Sequence, residues 1–256
     1  MRFLMLESIQ HTVWKDVFYN AFLVIGLLTA ISFGIWYRKR FKFSVWNAIL
    51  LSSTGFIVLL IWTVVHFQIE SRFTGVGTQS VVRAMPYLML MVWLLAAMLK
   101  LKWDDACDFF APLVCLYLGI AQMGCIFAGC CQGYPCNWGI YNYHYDGFAF
   151  PIQIIEIISI FVLFFVILWY NKQHNYKSNG QAIPIMLIVF GLMRFLWEFA
   201  RNNEKLFAGC SAISFHALFM VAVGIEMLFT IQDIKSRKNK KIGRYKHNFH
   251  KKRRQK

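Results

Sequence analysis

A few ionisable residues lie within otherwise apolar segments, and they are the first candidates for chemistry. Arg194, Glu198 and Arg201 fall in the run GLMRFLWEFAR at spacings of four and three residues, so they share one face of a helix. An arginine held there offers a planar, multi-donor cation that suits a phosphate group. The alternative is an Arg–Glu pair that neutralises itself and fixes helix packing. The spacing alone is compatible with both interpretations.

Three further residues are candidates for the same site. Glu156 lies early in an apolar segment, where it is either a general base or a hydrogen-bonded anchor for Arg194 or for backbone amides. Arg83 lies at the start of another segment, where it either binds lipid phosphate or extends to the headgroups, and the second is favoured. His216 is a lone histidine, which is more often a packing residue than a catalyst, although imidazole can transfer protons at neutral pH.

Four cysteines surround a glycine-rich break between two apolar segments, in the run CIFAGCCQGYPC. Cys125, Cys130, Cys131 and Cys136 have the spacing C-x4-C-C-x4-C. Zinc ligands usually occur as C-x2-C pairs, so we predict no metal site here. Disulfides, for instance with Cys210, or small residues at a close helix contact are favoured over a nucleophilic thiol. The chain has seven cysteines, an odd number, so they cannot all pair internally.

The segments that carry these residues have the composition of membrane spans. The chain of 256 residues is 58% hydrophobic and 15% charged, below the roughly 25% charged residues of soluble proteins. We predict an all-α polytopic membrane protein with about seven transmembrane helices and a small extracytoplasmic head at residues 129–150. A polar, glycine-rich break at membrane depth must be buried in protein or line a wet cavity. The predicted spans are residues 17–37, 44–66, 81–99, 106–127, 152–170, 182–200 and 212–231.

Positive charge is distributed unevenly and predicts the orientation of the chain. Twelve of the 27 Lys and Arg residues follow Ile234. Further Lys and Arg residues lie in the loops at residues 38–43, 100–105 and 171–181, so the positive-inside rule places the N-terminus outside and the C-terminus in the cytoplasm. We predict a transmembrane domain at residues 1–234 and a basic, disordered cytoplasmic tail at residues 235–256 that attracts anionic headgroups. Nucleic-acid binding by this tail is not expected, and residues 1–16 lack the pattern of a cleavable signal peptide.

Four motifs, in order along the chain, resemble those of the prolipoprotein diacylglyceryl transferase family. QMGCIFAGCCQG is similar to G-R-x-G-[NC]-F-x-[NA]-G, and PIQIIE is similar to P-T-Q-[LI]-Y-E. GLMRFLWEFAR resembles G-x-x-R-F-x-[IV]-E-F-x-R, and GCSAISFHALF resembles G-L-S-x-x-Q-x-[LI]-S. Residues 108–112 match the family's D-x-x-A-P. The order, the spacing and the predicted seven-span topology agree from about residue 12 to residue 231.

This resemblance implies an enzyme of the bacterial inner (plasma) membrane. Family members transfer the diacylglyceryl group of phosphatidylglycerol to the thiol of a lipobox cysteine in a preprolipoprotein, at the outer leaflet. They release glycerol-1-phosphate, form a thioether, and use no metal or organic cofactor. The expected partners are therefore a phospholipid, a lipobox peptide and the membrane, and no nucleic acid. The reaction requires a cationic clamp on the phosphate and an acceptor for the thiol proton.

The same resemblance assigns roles to individual residues. Arg194 is expected to clamp the phosphate, with Glu156 and Glu198 orienting the arginines as the other catalytic residues. The residues expected to contact substrate are Arg83, Gln122, Gly124, Cys125, Gly129, Cys130, Gln153, Arg201 and His216.

Three positions depart from the family pattern. The signature arginine is Gln122 here, the family histidine falls on Val82, and the signature acid is Cys130. Losing a full positive charge beside a phosphate costs several kcal/mol in a low-dielectric site. We hypothesise that Arg83 restores this charge. The departures also support two other hypotheses: a catalytically silent relative that binds lipid or a partner protein, and a relative in which a loop cysteine carries an acyl group or electrons.

Overall fold

The computed structural model describes residues 13–74, 83–143, 145–176, 178–203 and 209–254. Within these ranges the chain is mainly helical, and one antiparallel hairpin pairs Tyr141 with Phe148 and Asn142 with Gly147. The elements in chain order are α1 (Trp14–Tyr37), α2 (Val45–Thr74), α3 (Leu88–Met98), α4 (Trp103–Ala128), β1 (Pro135–Asn142), β2 (Gly147–Ala149), α5 (Ile152–Gln173), α6 (Ala182–Ala200) and α7 (Ala212–Arg254).

The helices confirm the prediction of an all-α polytopic membrane protein. In the described ranges six helices are long and apolar enough to cross a bilayer: Trp14–Arg40, Val45–Val65, Trp103–Ala128, Ile152–Gln173, Ala182–Ala200 and Ala212–Arg237. The third predicted span is the exception, because its apolar helix covers only Met85–Met98. A helix of that length rises about 20 Å, less than the roughly 30 Å of a hydrocarbon core.

Helix α4 is the centre of the bundle. Helices α1, α3, α5 and α6 all pack against it, and every side chain from Ala106 to Tyr117 is buried. The Phe109 ring contacts the ring of Phe43, which lies just before α2. The Tyr117 ring contacts the ring of Phe56 within α2. A helix enclosed on all sides needs apolar residues around its whole circumference, which explains its continuous hydrophobic sequence.

Asp108 of α4 organises one end of the bundle. Asn171 of α5 donates hydrogen bonds to the Asp108 carbonyl (2.8 Å) and to the Tyr37 hydroxyl of α1 (3.0 Å). The Asp108 carboxylate satisfies backbone donors at the start of α6, where helical partners are absent. It accepts, at 2.8–3.1 Å, the N–H groups of Asn179, Gly180 and Ala182. This single carboxylate therefore fixes where α6 begins.

Helices α6 and α7 approach each other through glycines. A Cβ added at Gly191 would lie 2.7 Å from a Val221 side-chain carbon and 2.9 Å from the Ala217 carbonyl oxygen. A Cβ added at Gly224 would lie 2.8 Å from the Ile188 side chain. The absence of side chains at these two positions sets the separation of the helices. It thereby places the last turn of α6 beside the first turn of α7.

The basic C-terminal segment, for which the sequence predicts a disordered tail, continues the last helix in the described residues. Helix α7 continues without a break from the apolar span through Arg254, so residues 235–254 are helical, and residues 255–256 lie outside the described ranges. Lysine and arginine are good helix formers, and a helix already nucleated in the span extends at little cost. The Lys235 ammonium group donates to the Asn179 carbonyl at 2.8 Å. The start of this segment therefore lies at the Asp108 end of the bundle, which we call the basic end; the opposite end, with the hairpin, is the head end.

Candidate functional site

Glu156 is the centre of a buried polar cluster at the head end. It lies in the first turns of α5 and is only 1% exposed. The Arg201 Nε donates to one carboxylate oxygen at 2.7 Å, and the terminal nitrogen of the same guanidinium donates to the other. The Gln122 side-chain amide of α4 donates to that second oxygen. One carboxylate thus joins the end of α4, the start of α5 and the end of α6.

A second ion pair lies beside the first. The Arg194 guanidinium is 2.8 Å from a Glu198 carboxylate oxygen, one turn further along α6, and 4.0 Å from Glu156. The other Glu198 oxygen accepts hydrogen bonds from the Ser211 hydroxyl (2.6 Å) and the Asn203 amide (2.5 Å). The sequence-based expectation that Arg194 and Glu198 share a helix face is therefore correct, and both alternatives for the pair remain compatible with this geometry.

The four charged side chains compensate one another. Glu156 and Glu198 balance Arg194 and Arg201, and all four are at most 5% exposed. A buried charge whose partner is removed costs several kcal/mol, so each pair requires both members. Burial opposes the charge on Arg201, but the Cys131 sulfur and Glu156 raise its pKa above the ordinary value. Arg201 therefore stays cationic at any physiological pH.

Arg201 reaches the cluster from outside its helix. It is the residue after the last helical turn of α6 and has extended backbone angles (φ −91°, ψ 143°). Its backbone pairs with Gly133 as an isolated antiparallel bridge, and the Asn202 N–H donates to the Gln132 carbonyl at 3.1 Å. The loop that follows α4 is thus attached to the segment that follows α6.

The end of α4 has a defined turn that folds the chain back on the helix. Gly129 has φ +65°, the left-handed conformation that glycine adopts without a Cβ penalty. The Cys130 N–H donates to the Cys125 carbonyl (3.2 Å) and the Gly129 N–H to the Ile126 carbonyl (3.4 Å). This pair of bonds is the Schellman motif. It returns Cys130 to the level of Cys125, five residues earlier.

Three thiols converge at this turn. The Sγ atoms of Cys125, Cys130 and Cys131 all lie within 4.8 Å of one another. Cys131 has a left-handed backbone, φ +58°, which is uncommon for a residue with a Cβ. Hydrogen bonds from the Cys125 and Cys130 thiols, with the positive potential of Arg201 and Arg194, hold the pKa of the Cys131 thiol well below its usual range.

All seven cysteines carry free thiols in the structure. The predicted disulfide pairing, including the example with Cys210, is absent. The favoured interpretation as small residues at a helix contact applies to Cys107 and Cys115, which are fully buried within α4. Cys125 is also buried, whereas Cys130 and Cys131 are only half-buried.

The expected substrate-contacting residues fall into two groups. Gln122, Cys125, Cys130, Gln153 and Arg201 belong to one connected region. Gln122 Oε1 is 3.8 Å from the Cys125 thiol, and the Gln153 amide donates to the Cys130 carbonyl at 3.1 Å. These residues join the charged cluster to the three thiols.

The remaining residues have structural positions. Gly124 faces α1, where an added Cβ would lie 3.2 Å from the Phe22 side chain and the Tyr19 carbonyl. Gly129 is the left-handed cap described above. The His216 Nδ1 lies 2.9 Å from the Ala212 carbonyl of its own helix.

Arg83 and Val82 stand at the edge of the described ranges. Arg83 is 3% exposed, so it points into protein and does not extend to the headgroups as favoured. The short turn Met85–Tyr87 that follows it packs against α7. Val82, the position of the family histidine, lies outside the described residues. Compensation of Gln122 by Arg83 stays a prediction.

Four site residues were not among the expected catalytic or substrate-contacting residues. Ser211 and Asn203 bind Glu198, the Asn142 amide donates to the Gly129 carbonyl at 2.9 Å, and Cys131 completes the group of thiols. Ser211 occupies the position of the serine in the motif G-L-S, and this match could have identified it as a site residue from the sequence. Asn142 and Asn203 lie in stretches without a motif, and only the folded chain brings them to the site.

The chain is similar to proteins of one family. Residues 17–230 match the family model for prolipoprotein diacylglyceryl transferase. A phosphatidylglycerol–prolipoprotein diacylglyceryl transferase 2 of Clostridium perfringens is 30% identical over 149 residues, which cover 55% of this chain and 57% of that protein. The transferase of Clostridium tetani is 31% identical over 138 residues, covering 49% and 54%. That of Methylobacillus flagellatus is 30% identical over 148 residues, covering 55% and 56%.

The chain spans about half the length of these curated relatives, whereas the family model covers most of it. The helical bundle, the order of the motifs and the extent of the family match lead to one assignment. This chain belongs to the prolipoprotein diacylglyceryl transferase family.

Proposed function

We propose that this protein transfers a diacylglyceryl group from phosphatidylglycerol, or a related phospholipid, to the thiol of a lipobox cysteine in a preprolipoprotein. The observation that carries the proposal is the buried cluster of Arg194, Arg201, Glu156 and Glu198 beside a thiol-lined loop. Arg194 and Arg201 bring two guanidinium groups to one buried cluster, and a planar multi-donor cation suits a phosphate. The relatives named above carry this activity in their names.

The proposed reaction is an alkyl transfer to sulfur. The acceptor sulfur forms a bond to the terminal glyceryl carbon, and the bond from that carbon to the phosphate oxygen breaks. Glycerol phosphate leaves with one more negative charge than the phosphodiester had, and the thiol proton is released. Because negative charge grows on the phosphate, donors fixed before the reaction stabilise the transition state more than the ground state.

In this proposal Arg194 contacts the phosphate and the two carboxylates act as positioning residues. Glu198 holds Arg194 at 2.8 Å, while Glu156 holds Arg201 through two hydrogen bonds. Fixed guanidinium groups need no reorganisation as charge develops, which is the advantage of a prearranged site. Gln122 contributes an uncharged amide where the resemblance expects a cation.

We also propose that the head end faces the outer leaflet of a bacterial plasma membrane and that both the basic loops and the C-terminus are cytoplasmic. The basic residues of the loops near Arg40 and Tyr176 gather at the opposite end, and positive residues favour the cytoplasmic side. A membrane-impermeant maleimide applied to intact cells should label Cys136 at the head end. A cysteine introduced by Ser236→Cys should react only after permeabilisation; the reverse pattern would contradict the orientation.

The test of the activity is complementation of cells depleted of their own transferase. The wild-type chain should restore lipoprotein modification, and Arg194→Ala should abolish the rescue without loss of protein from the membrane. Arg237→Ala is the matched control, because Arg237 pairs with Asp233 one turn away on the exposed surface. Equal rescue by wild type and Arg194→Ala would contradict the proposed clamp.

A second candidate is a catalytically silent relative that binds lipid or a partner protein. The observation in its favour is Gln122, which donates to Glu156 from the position of the signature arginine. This candidate predicts no rescue in the complementation assay, together with retained binding of phosphatidylglycerol by the purified chain. Radiolabelled phosphatidylglycerol and a lipobox peptide separate the two, since only the enzyme forms a labelled peptide.

A further inference from the structure

A charged cavity lies at the basic end of the bundle and shares no residue with the site at the head end. It has a volume of about 460 Å³ and opens between the loop after α1, the loop before α4 and the loop before α6. Its wall carries three cations, Arg40, Lys42 and Lys102, and two acids, Asp104 and Asp105. A cavity of this size is within the range of small-molecule sites.

The loops around the cavity are held in uncommon backbone conformations. Lys42 has φ +58° and Tyr176 has φ +53°, the left-handed region that residues with a Cβ rarely adopt. The Phe43 N–H donates to the Arg38 carbonyl at 3.2 Å, and the Arg38 guanidinium donates to the Phe43 carbonyl at 3.0 Å. The Tyr176 N–H donates to the Asn171 carbonyl at 3.0 Å. Strained conformations maintained by such contacts are concentrated at binding sites.

The wall of the cavity contains two groups that suit a phosphate oxygen. The Arg40 guanidinium lies 5.2 Å above the centre of the Tyr176 ring, and a stacked guanidinium keeps its in-plane N–H donors available to an anion. The Ser178 hydroxyl oxygen is buried in the wall and has no hydrogen-bond partner among the described residues. Because buried polar groups are nearly always hydrogen-bonded, this hydroxyl indicates a ligand.

The cavity lies at the level of the membrane interface. The apolar span of α1 ends at Arg40, that of α4 begins at Trp103, and that of α5 ends at Gln173. Near these ends Trp36 and Trp169 are 59% and 60% exposed, and tryptophan is enriched where lipid tails meet headgroups. A phospholipid in the adjacent leaflet would therefore have its phosphate beside the cavity.

Charges of both signs in one wall select the kind of headgroup. The cations alone would suit any phosphate, but carboxylates repel a purely anionic headgroup. Asp104 faces Gly180, where an added Cβ would lie 2.7 Å from its carboxylate oxygen. Asp105, half-buried in the first turn of α4, is the other carboxylate in the wall. A phosphate followed by an ammonium group gives a partner to each sign.

We propose that this cavity binds the headgroup of a phospholipid of the ethanolamine class. Arg40, Lys42 and Lys102 contact its phosphate, Asp105 contacts its ammonium group, and its acyl chains lie in the bilayer. Binding is reversible and makes or breaks no covalent bond. The proposal concerns the end of the bundle opposite to the buried ion pairs, so it does not depend on the transfer reaction.

The first experiment measures affinity for dioctanoyl phosphatidylethanolamine, using the full-length chain purified in detergent and native mass spectrometry. Lys42→Ala and Lys102→Ala should each weaken binding about 3–5-fold, since exposed charge contacts are individually modest. Lys39→Ala is the matched control, because this lysine is exposed in the same loop but does not line the cavity. Unchanged affinity in both test variants, or an equal loss in the control, would overturn the proposal.

Asp105→Asn distinguishes a zwitterionic headgroup from an anionic one. Affinity for phosphatidylethanolamine should fall about 3–5-fold, whereas affinity for dioctanoyl phosphatidylglycerol should not fall, because a repelling carboxylate is removed. Asp233→Asn changes an exposed acid of α7 and should leave both affinities unchanged. Unchanged binding of phosphatidylethanolamine by Asp105→Asn would overturn the assignment of the ammonium group, as would an equal loss for both lipids.

The lipid source is tested with glycerophosphoethanolamine, the same phosphodiester without acyl chains. It should bind at least about 100-fold more weakly than the lipid, because the apolar contribution of the chains is lost. Equal affinity would show that the cavity takes a soluble phosphodiester and would overturn the lipid as its occupant.

Hydrogen exchange of the wild-type chain locates the site without any variant. Phosphatidylethanolamine should slow amide exchange in residues 38–43 and 99–105, while residues 129–135 at the head end exchange as before. Slower exchange at the head end alone, or no change at the basic end, would contradict the cavity as the binding site. Neither result depends on whether the protein transfers a diacylglyceryl group.

Discussion

Gln122 and Glu156 are 34 positions apart in the chain, and the amide of the first donates a hydrogen bond to the carboxylate of the second. The same carboxylate binds Arg201, so Gln122 extends the ion pair without adding charge. In a cluster that contains two carboxylates and two guanidinium groups, an uncharged residue at this position preserves neutrality. Gln122, at the position of the signature arginine, therefore has Glu156 as its hydrogen-bond partner.

Replacing Gln122 by Glu should destabilise the protein. The new carboxylate would face Glu156 at hydrogen-bond distance, and two buried like charges raise the free energy of the folded state by about 2–4 kcal/mol or force a proton to be shared. Thermal unfolding in detergent should show a clear loss of stability. Gln232→Glu, on the exposed face of α7, is the control and should unfold like wild type. Equal stability of the two variants would refute the contact.

The pair of Glu156 and Arg201 should behave as a coupled unit. Glu156→Gln or Arg201→Gln alone leaves a buried charge with less compensation, at a cost of about 3–5 kcal/mol. The double variant should be more stable than the sum of the two single effects predicts, by about 1–3 kcal/mol. Denaturant unfolding of all four proteins measures this coupling.

The exposed pair of Asp233 and Arg237 supplies the control cycle. These side chains are 57% and 76% exposed and lie 2.8 Å apart, so solvent screens their interaction. We expect their coupling to be within the error of the measurement. A coupling for Glu156 and Arg201 as small as this one would mean that the buried pair does not stabilise the fold.

Gly191→Ala should impair both stability and transfer. The added methyl group would lie 2.7 Å from Val221 and 2.9 Å from a backbone oxygen of α7. A backbone atom within a helix can move away only if the helix moves with it. Separating the two helices costs about 1–3 kcal/mol and moves Glu198 away from Ser211. Gly147→Ala is the control, because its nearest neighbour would be 3.5 Å away. Normal thermal stability of Gly191→Ala would show that α6 and α7 are not closely packed.

Asp108→Asn should lower stability without direct effect on the site. The amide group keeps the size of the side chain but removes one of the two acceptor oxygens that bind Asn179, Gly180 and Ala182. An unsatisfied buried N–H costs about 1–3 kcal/mol. Asp105→Asn, at the same end but only half-buried, should have a much smaller effect on the unfolding temperature. A larger loss for Asp105 than for Asp108 would contradict the capping role.

Much of the site was predictable because its motifs are local. Arg194 and Glu198 are one helical turn apart, and their ion pair follows from that spacing on any helix. Glu156 was expected to be a general base, an anchor for Arg194 or backbone amides, or a residue that orients the arginines. Its principal partner is Arg201, because the extended backbone after α6 turns Arg201 back towards α5. Helical spacing cannot predict the contacts of a residue, such as Arg201, that lies beyond the end of the helix.

The group of thiols was not predictable from spacing. If the helix continued straight, the side chains of Cys125 and Cys130 would be too far apart to lie beside each other. The left-handed turn at Gly129 reverses the chain and brings them together. The Ala-Gly-Cys sequence at a helix end is a signal for such a turn. With that signal, the approach of Cys130 to Cys125 could have been anticipated, but the position of Cys131 depends on contacts from other elements.

The sequence by itself determined the class of the protein, six of the seven predicted spans, and the residues that could carry charge in an apolar bundle. These properties follow from hydropathy and from helical spacing, which act over a few residues. Only the tertiary structure decided that Glu156 pairs with Arg201, that Gln122 donates its hydrogen bond to Glu156, and that three thiol sulfurs lie close together. Those contacts join residues up to 45 positions apart, and their energies depend on burial and on backbone reversal at helix ends, which no local pattern records.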